Sequence, residues 1–220
     1  MTKHGLNVEV FERESSLDTR LRDWTIVLHW AMPNMVKLLP EAVVEKLSQA
    51  ICNPHLEFDK EVESLPCYNG VTGDLLFKSP LPGSRRVSRQ RLRRVLSEGL
   101  DIKWSKSLKS LSYPSDAFVQ LSFDDGSVVD ADYVFGADGA SSKVRELLLG
   151  PGPSQVQGSG FMFATCIVNY NDATKVDAVV KAHPVAAITL GSNAGAGCGG
   201  IPSAFIVVSS RLIIRGSDVC

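Results

Sequence analysis

Gly136-Ala-Asp-Gly139-Ala-Ser-Ser-Lys-Val-Arg145 is the stretch on which the reading of the fold turns. Before it, residues 132–136 have the apolar character of a strand; after it, residues 143–149 read as a helix with serine available to cap its start. Glycines let a backbone approach a ligand closely. The N–H groups that open a helix are oriented to receive a phosphate. An ordinary α/β connection uses the same residue types, but strand, glycine turn and capped helix in that order are more specific than any one of them.

Working outward, Leu6, Val8 and Val10 alternate with polar residues, the period of a strand that ends at Glu12. Residues 25–29 form a second short strand. Residues 35–50 carry apolar positions at helical spacing, interrupted by Pro40, and residues 75–77 read as a strand. Ser88 starts a helix whose apolar stripe is Leu92, Val95 and Leu96. Residues 118–123, Asp125-Gly126 and residues 127–129 form a hairpin, because Asp-Gly favours tight turns. Gly150-Pro-Gly-Pro153 is a break. Beyond it come a strand (161–170), a helix (174–182), a strand (186–190), a glycine-rich loop and a last strand (205–208). The mixture predicts an α/β or α+β class.

Composition narrows the function classes. The 220 residues suffice for one large domain, or one domain plus part of another. A 44% hydrophobic and 21% charged chain builds a packed soluble core. The net charge of -1 gives the whole molecule no pull toward nucleic acid or anionic membrane. No apolar run approaches the roughly 18–20 residues of a membrane span. The opening Met-Thr-Lys-His-Gly lacks a signal-peptide core, so a cytoplasmic location is expected. Cys52, Cys67, Cys166, Cys198 and Cys220 form no C-x-x-C pair, and the four histidines are scattered; neither a disulfide framework nor a metal site is expected.

Two more residues stand out. Glu12 ends its strand where, in a dinucleotide-binding fold, a carboxylate accepts hydrogen bonds from an adenosine ribose; the bland alternative is a solvated strand-end carboxylate. Arg89 lies among six arginines between Arg85 and Arg94. Helical spacing places it on the face of Leu92, Arg93 and Leu96, leaning toward the core, where a guanidinium could clamp a phosphate or ribityl oxygen. The alternatives are a basic solvated helix or an anion-binding patch. Gly195-Ala-Gly197-Cys-Gly199-Gly200 matches G-x-G-x-x-G literally, but Pro202 and a β-rich run follow it, so no helix end faces a pyrophosphate there.

Taken together, these motifs carry a resemblance. Gly136 to Arg145 resembles the second cofactor motif of flavoprotein monooxygenases related to p-hydroxybenzoate hydroxylase, the aromatic-hydroxylase class. Val10-Phe-Glu12-Arg13 resembles the end of their second strand, Arg86-Val-Ser-Arg89-Gln-Arg-Leu92 their R-x-x-L helix start, and Asp23-Trp-Thr-Ile-Val-Leu-His-Trp30 the strand near the flavin in fungal members. The resemblance covers residues 5 to about 190. It implies an incomplete Rossmann-like FAD-binding domain (1–54 and 86–150) with an inserted, partly antiparallel β-sheet substrate domain (55–85 and 154–220). It also implies Glu12 on the FAD ribose with Arg13 nearby, Arg89 on the phosphate or ribityl portion, and Asp138 and Gly139 serving the pyrophosphate and the NAD(P)H encounter. The implied reaction uses FAD, NAD(P)H and O₂ to hydroxylate a small organic substrate. The cofactor carries the chemistry, so no catalytic dyad is expected.

The family's G-x-G-x-x-G turn, due about 20 residues before the ribose acid, does not fit in the eleven residues that precede Glu12. The later G-D-A-x-x-x-x-P segment is likewise absent. Residues 191–220 depart from the family pattern, as an altered reading frame or a mis-spliced gene would produce. The alternative expectation is therefore a non-catalytic remnant of such an enzyme.

Overall fold

The computed structural model describes residues 5–19, 24–52, 54, 64–158, 162–168, 172–182, 186–190, 194–199 and 204–210. Along the chain run β1 (Val10–Phe11), β2 (Thr25–Leu28), α1 (Ala31–Leu38), α2 (Glu41–Val44), a 3-10 turn (Leu47–Ala50), β3 (Ser64–Asn69), β4 (Leu75–Pro80), β5 (Arg85–Ser88) and α3 (Arg89–Ser97). Then follow β6 (Ile102–Lys103), β7 (Leu108–Ser115), β8 (Phe118–Phe123), β9 (Val128–Ala131), α4 (Lys143–Leu149), β10 (Met162–Val168), α5 (Ala173–Ala182), β11 (Ala187–Leu190), β12 (Ala194–Gly199) and β13 (Ala204–Ser210). The class is mixed α/β with small sheets. Among the described residues no helix is long and apolar enough to cross a membrane.

Contacts divide the chain into two compact units: Met1–Leu21 with Gly99–Gly158, and Arg22–Glu98 with Ser159–Cys220. This grouping places residues 22–54 and 86–98 with the second unit, a different partition from the two domains expected above. The cause is local: β2 hydrogen-bonds antiparallel to β5, so α1, α2 and α3 travel with that ribbon.

In the first unit β1 pairs parallel with β6, Val10 opposite Ile102 and Phe11 opposite Lys103. The expected strand over residues 6–12 is thus laddered only at Val10–Phe11. β7, β8 and β9 form an antiparallel meander. Its second turn is the Asp125-Gly126 hairpin: Gly126 has φ +83°, and Phe123 receives its N–H at 3.0 Å. Lys106 Nζ and the Ser127 hydroxyl and N–H hold the Asp125 carboxyl far below the usual carboxylate range. Leu121 and Phe123 are buried, and the Phe123 ring lies 4.8 Å from that of Phe11. Residues 132–136 correct the sequence reading. They form no strand, and Tyr133 and Phe135 are 81% and 73% exposed. Apolar pattern alone does not make a strand; it needs a ladder partner, and none is recorded for them among the described residues.

In the second unit Leu47, Ala50, Val87, Leu92 and Val95 form a core, flanked by Leu28, Met35, Leu39, Val43, Val44, Ile51 and Leu96. Pro40 breaks the helical run as expected, because it lacks an N–H and instead starts α2. Ser88 is 1% exposed and its hydroxyl caps α3, accepting the Arg91 N–H at 3.0 Å. Arg91 reaches back to the Gln49 and Ile51 carbonyls at 3.2 and 3.1 Å, closing the end of the 3-10 turn. The large sheet has the order β10-β13-β12-β11-β3-β4; its pairings are antiparallel except the parallel one between β11 and β3. The glycine-rich stretch expected as a loop is strand β12 over Ala194–Gly199, held between β11 and β13. The strand expected over 161–170 is Met162–Val168, its outer residues lying outside the described ones.

Leu92→Ala is expected to lower the free energy of unfolding by about 2–5 kcal/mol, whereas Val71→Ala, at an 81% exposed turn position, stays within about 0.5 kcal/mol. Urea unfolding followed by circular dichroism checks both.

Candidate functional site

The segment 136–145 is a turn built around one carboxylate. Asp138 Oδ2 accepts the N–H of Lys143 at 2.6 Å and that of Val144 at 3.1 Å, while Oδ1 accepts the Ser142 hydroxyl. Ser142 in turn caps α4, its Oγ accepting the Arg145 N–H at 3.0 Å. Burial pushes the Asp138 carboxyl up. The Ser142 hydroxyl and the N–H groups of Val144, Asp138 itself and Lys143 outweigh that, and its pKa lies below the ordinary value. The negative charge also faces the positive end of the helix dipole. The sequence reading left these helix-opening N–H groups to a phosphate; in the structure Asp138 and Ser142 occupy those of Lys143, Val144 and Arg145. The physical reason is spacing. An acid four residues ahead of a serine cap reaches the same donors that an anion would.

The two glycines have separate causes. A Cβ on Gly136 would stand 2.7 Å from the Val144 Cβ, so α4 packs against the turn only because that residue has no side chain. Gly139 has φ +82°, a left-handed conformation in which other residues are strained, and nothing lies within 4 Å of where its Cβ would be. Its backbone is open to a ligand. Arg145 closes the motif from the far end: Nε donates to the Ser154 carbonyl at 3.0 Å and Nη2 to that of Ala140. The sequence reading offered serine only as the helix cap and assigned no role to Arg145, although it stands in the quoted motif.

Glu12 follows β1 directly, at the carboxyl end of a parallel strand and half-buried. Its backbone is fixed on both sides: its N–H donates to Lys103 at 3.0 Å, and its carbonyl accepts the Lys106 N–H at 2.9 Å. The turn that follows β6 makes this possible by placing Ser105 at φ +58°, from where its N–H reaches the Glu14 carbonyl at 2.8 Å. Glu12 Oε1 accepts the Glu14 N–H at 3.1 Å. Arg13 is exposed. Glu12, Arg13, Asp138 and Gly139 belong to the first unit, and Arg89 belongs to the second.

Arg89 corrects its expected orientation: it is exposed, not turned to the core. It is the first residue of α3, and a helical side chain leans toward the N-terminus. Leu92 and Val95, by contrast, are buried. Its backbone N–H is held by the Trp24 carbonyl at 2.8 Å. Several neighbouring arginines are engaged within the fold: Arg85 with the Ser84 carbonyl, Arg86 with Thr25 Oγ1, and Arg91 as described above.

The depressed Asp138 pKa carries a sign. Its stabilisation is present above the unfolded carboxyl pKa and is lost as pH falls through the folded value. Asp138→Asn is expected to flatten the acid limb of the stability profile below about pH 4. Chemical denaturation at a series of pH values reads the difference between wild type and variant.

No family model matches the chain. The FAD-dependent monooxygenase phnB of Penicillium herquei is 33% identical over 192 residues, 86% of this chain and 46% of that protein. The FAD-dependent monooxygenase cctM of Talaromyces islandicus is 31% identical over 184 residues, 84% of this chain and 46% of that protein. The chain thus spans about half the length of the curated relatives it matches. Among solved structures, CtdE in complex with FAD and a substrate superposes with a TM-score of 0.73 at 15% identity, over 98% of this chain and 54% of CtdE. The 2,6-dihydroxypyridine-3-hydroxylase of Arthrobacter nicotinovorans gives 0.67 at 22% identity, over 99% and 53%; at such identities the likeness concerns the fold. Sequence likeness to the fungal proteins and shared fold agree, and the chain belongs to the FAD-dependent monooxygenase family.

Proposed function

We propose that this chain carries the adenosine-binding side of a FAD- and NAD(P)H-dependent monooxygenase that hydroxylates a small organic substrate, aromatic or from secondary metabolism, in the cytoplasm. The observation that carries the proposal is the Glu12 carboxylate, backbone-anchored at the carboxyl end of a parallel strand. That is where a crevice opens in dinucleotide-binding sheets. The parallel β1–β6 pair supports reading the first unit as part of an incomplete Rossmann-like sheet.

The residues fit the cofactor in kind. A carboxylate is the acceptor type that ribose hydroxyls require, and Glu12 Oε1 already accepts the Glu14 N–H in that manner. Arg13 stands beside it, exposed. The open backbone at Gly139 suits close approach of a pyrophosphate. Asp138 contributes by holding that turn, since its carboxylate is committed to α4. Arg89, exposed at a helix start, is assigned to the phosphate or ribityl portion. FAD, once reduced by NAD(P)H, supplies the O₂ chemistry; the chain's own part is to hold and orient it.

Purified protein titrated with FAD and followed by visible absorbance and flavin fluorescence tests the reading. Glu12→Ala and Arg89→Ala are each expected to weaken binding by roughly tenfold or more, the loss of one charge-assisted hydrogen bond. Unchanged affinity in both variants removes these assignments. A folded, colourless protein indifferent to added FAD would favour the remnant reading.

A further inference from the structure

The arginine-rich helix α3 meets the 3-10 turn at a cleft of about 260 Å³, lined by Gln49, Gln90, Arg91, Arg94, Val95 and Glu98. Arg91, Arg94 and Val95 share one face of α3 by helical spacing, and Glu98, its C-cap, continues that row. Gln49 comes from the 3-10 turn. Val95 is buried, whereas Gln49, Arg91 and Arg94 are exposed.

We propose that this cleft binds a phosphate group, either inorganic phosphate or a phosphate monoester at the end of an organic molecule. Arg91 carries the argument. Its bonds to the Gln49 and Ile51 carbonyls, at 3.2 and 3.1 Å, both leave from Nη1. They fix the guanidinium and leave its Nε–Nη2 edge, a side-on pair of donors that matches two oxygens of one anion. Arg94, three residues on, brings a second guanidinium to the same cleft. Gln49 and Gln90 bring carboxamides, which donate to an oxygen without adding negative charge. The one carboxylate in the lining, Glu98, is bonded through Oε2 to Lys46 Nζ, and the ammonium offsets its charge. Two guanidiniums suit a dianion with three acceptor oxygens better than a single carboxylate. The site uses none of the residues assigned to FAD and does not rest on that assignment.

Isothermal titration calorimetry of the chain with inorganic phosphate and with phenyl phosphate, at constant ionic strength, tests the site. Saturable binding is expected. Tighter binding of phenyl phosphate marks an esterified ligand, and affinity equal or greater for inorganic phosphate marks the free ion. Gln49→Glu, of equal size at an exposed position, puts a competing carboxylate beside Arg91 and is expected to weaken binding by roughly tenfold or more. Arg91→Lys, which keeps the charge and loses the side-on pair, and Arg94→Gln each weaken it by a similar factor. Circular dichroism checks that each variant is folded; Gln49→Glu keeps the backbone carbonyl that Arg91 binds. Absence of saturable binding of either compound overturns the proposal. So does binding that folded Gln49→Glu and Arg94→Gln leave unchanged.

Discussion

One carboxylate sets the geometry of the motif on which the family reading rests. Asp138 gathers two backbone N–H groups and a hydroxyl from the first turn of α4, and every one of those donors would otherwise need water or a ligand. The chain after Asp138 must therefore double back within four residues, which requires the left-handed Gly139. It brings Val144 against residue 136, which requires a glycine there too. Arg145 then binds the turn to the segment after α4 through Ser154. The residues that look like a ligand-binding signature are mostly spent on one another. What they leave exposed is backbone at Gly139.

A second constraint acts at Glu12. Two paired residues make a weak strand, yet the bonds from Glu12 and Glu14 to residues 103–106 extend the union beyond the ladder. The acid stands on a backbone fixed from both sides. The second unit solves a different problem, burying the apolar faces of α3 and the 3-10 turn against the β2–β5 ribbon. There the arginine-rich helix is amphipathic in an unusual way. Arg91 serves as a cap for its neighbour, while Arg89 at the helix start is exposed.

Local chemistry was legible in the sequence. Ser88 and Ser142 cap helices where serine precedes a periodic run, the Asp125-Gly126 turn closes its hairpin, and Pro40 divides a helical stretch. Elements that depend on distant partners were not. β3 and β7 contain Pro66 and Pro114, which argue against strands until a neighbouring ladder is known. β12 reads as a glycine loop and is a strand because β11 and β13 flank it. Residues 132–136 show the converse, a strand pattern with no recorded partner. Of the candidate site, the residue types and their order were readable. That Asp138 faces its own helix, and that Arg89 faces solvent, depended on side-chain direction at helix starts.

The account rests on Asp138 working inside the fold. Amide hydrogen exchange at Lys143 and Val144, resolved by NMR without added FAD, measures this directly. Slow exchange in the wild type that becomes fast in Asp138→Ala is the predicted result. Amides that exchange at unprotected rates in the wild type, or equally slowly in both proteins, would contradict it.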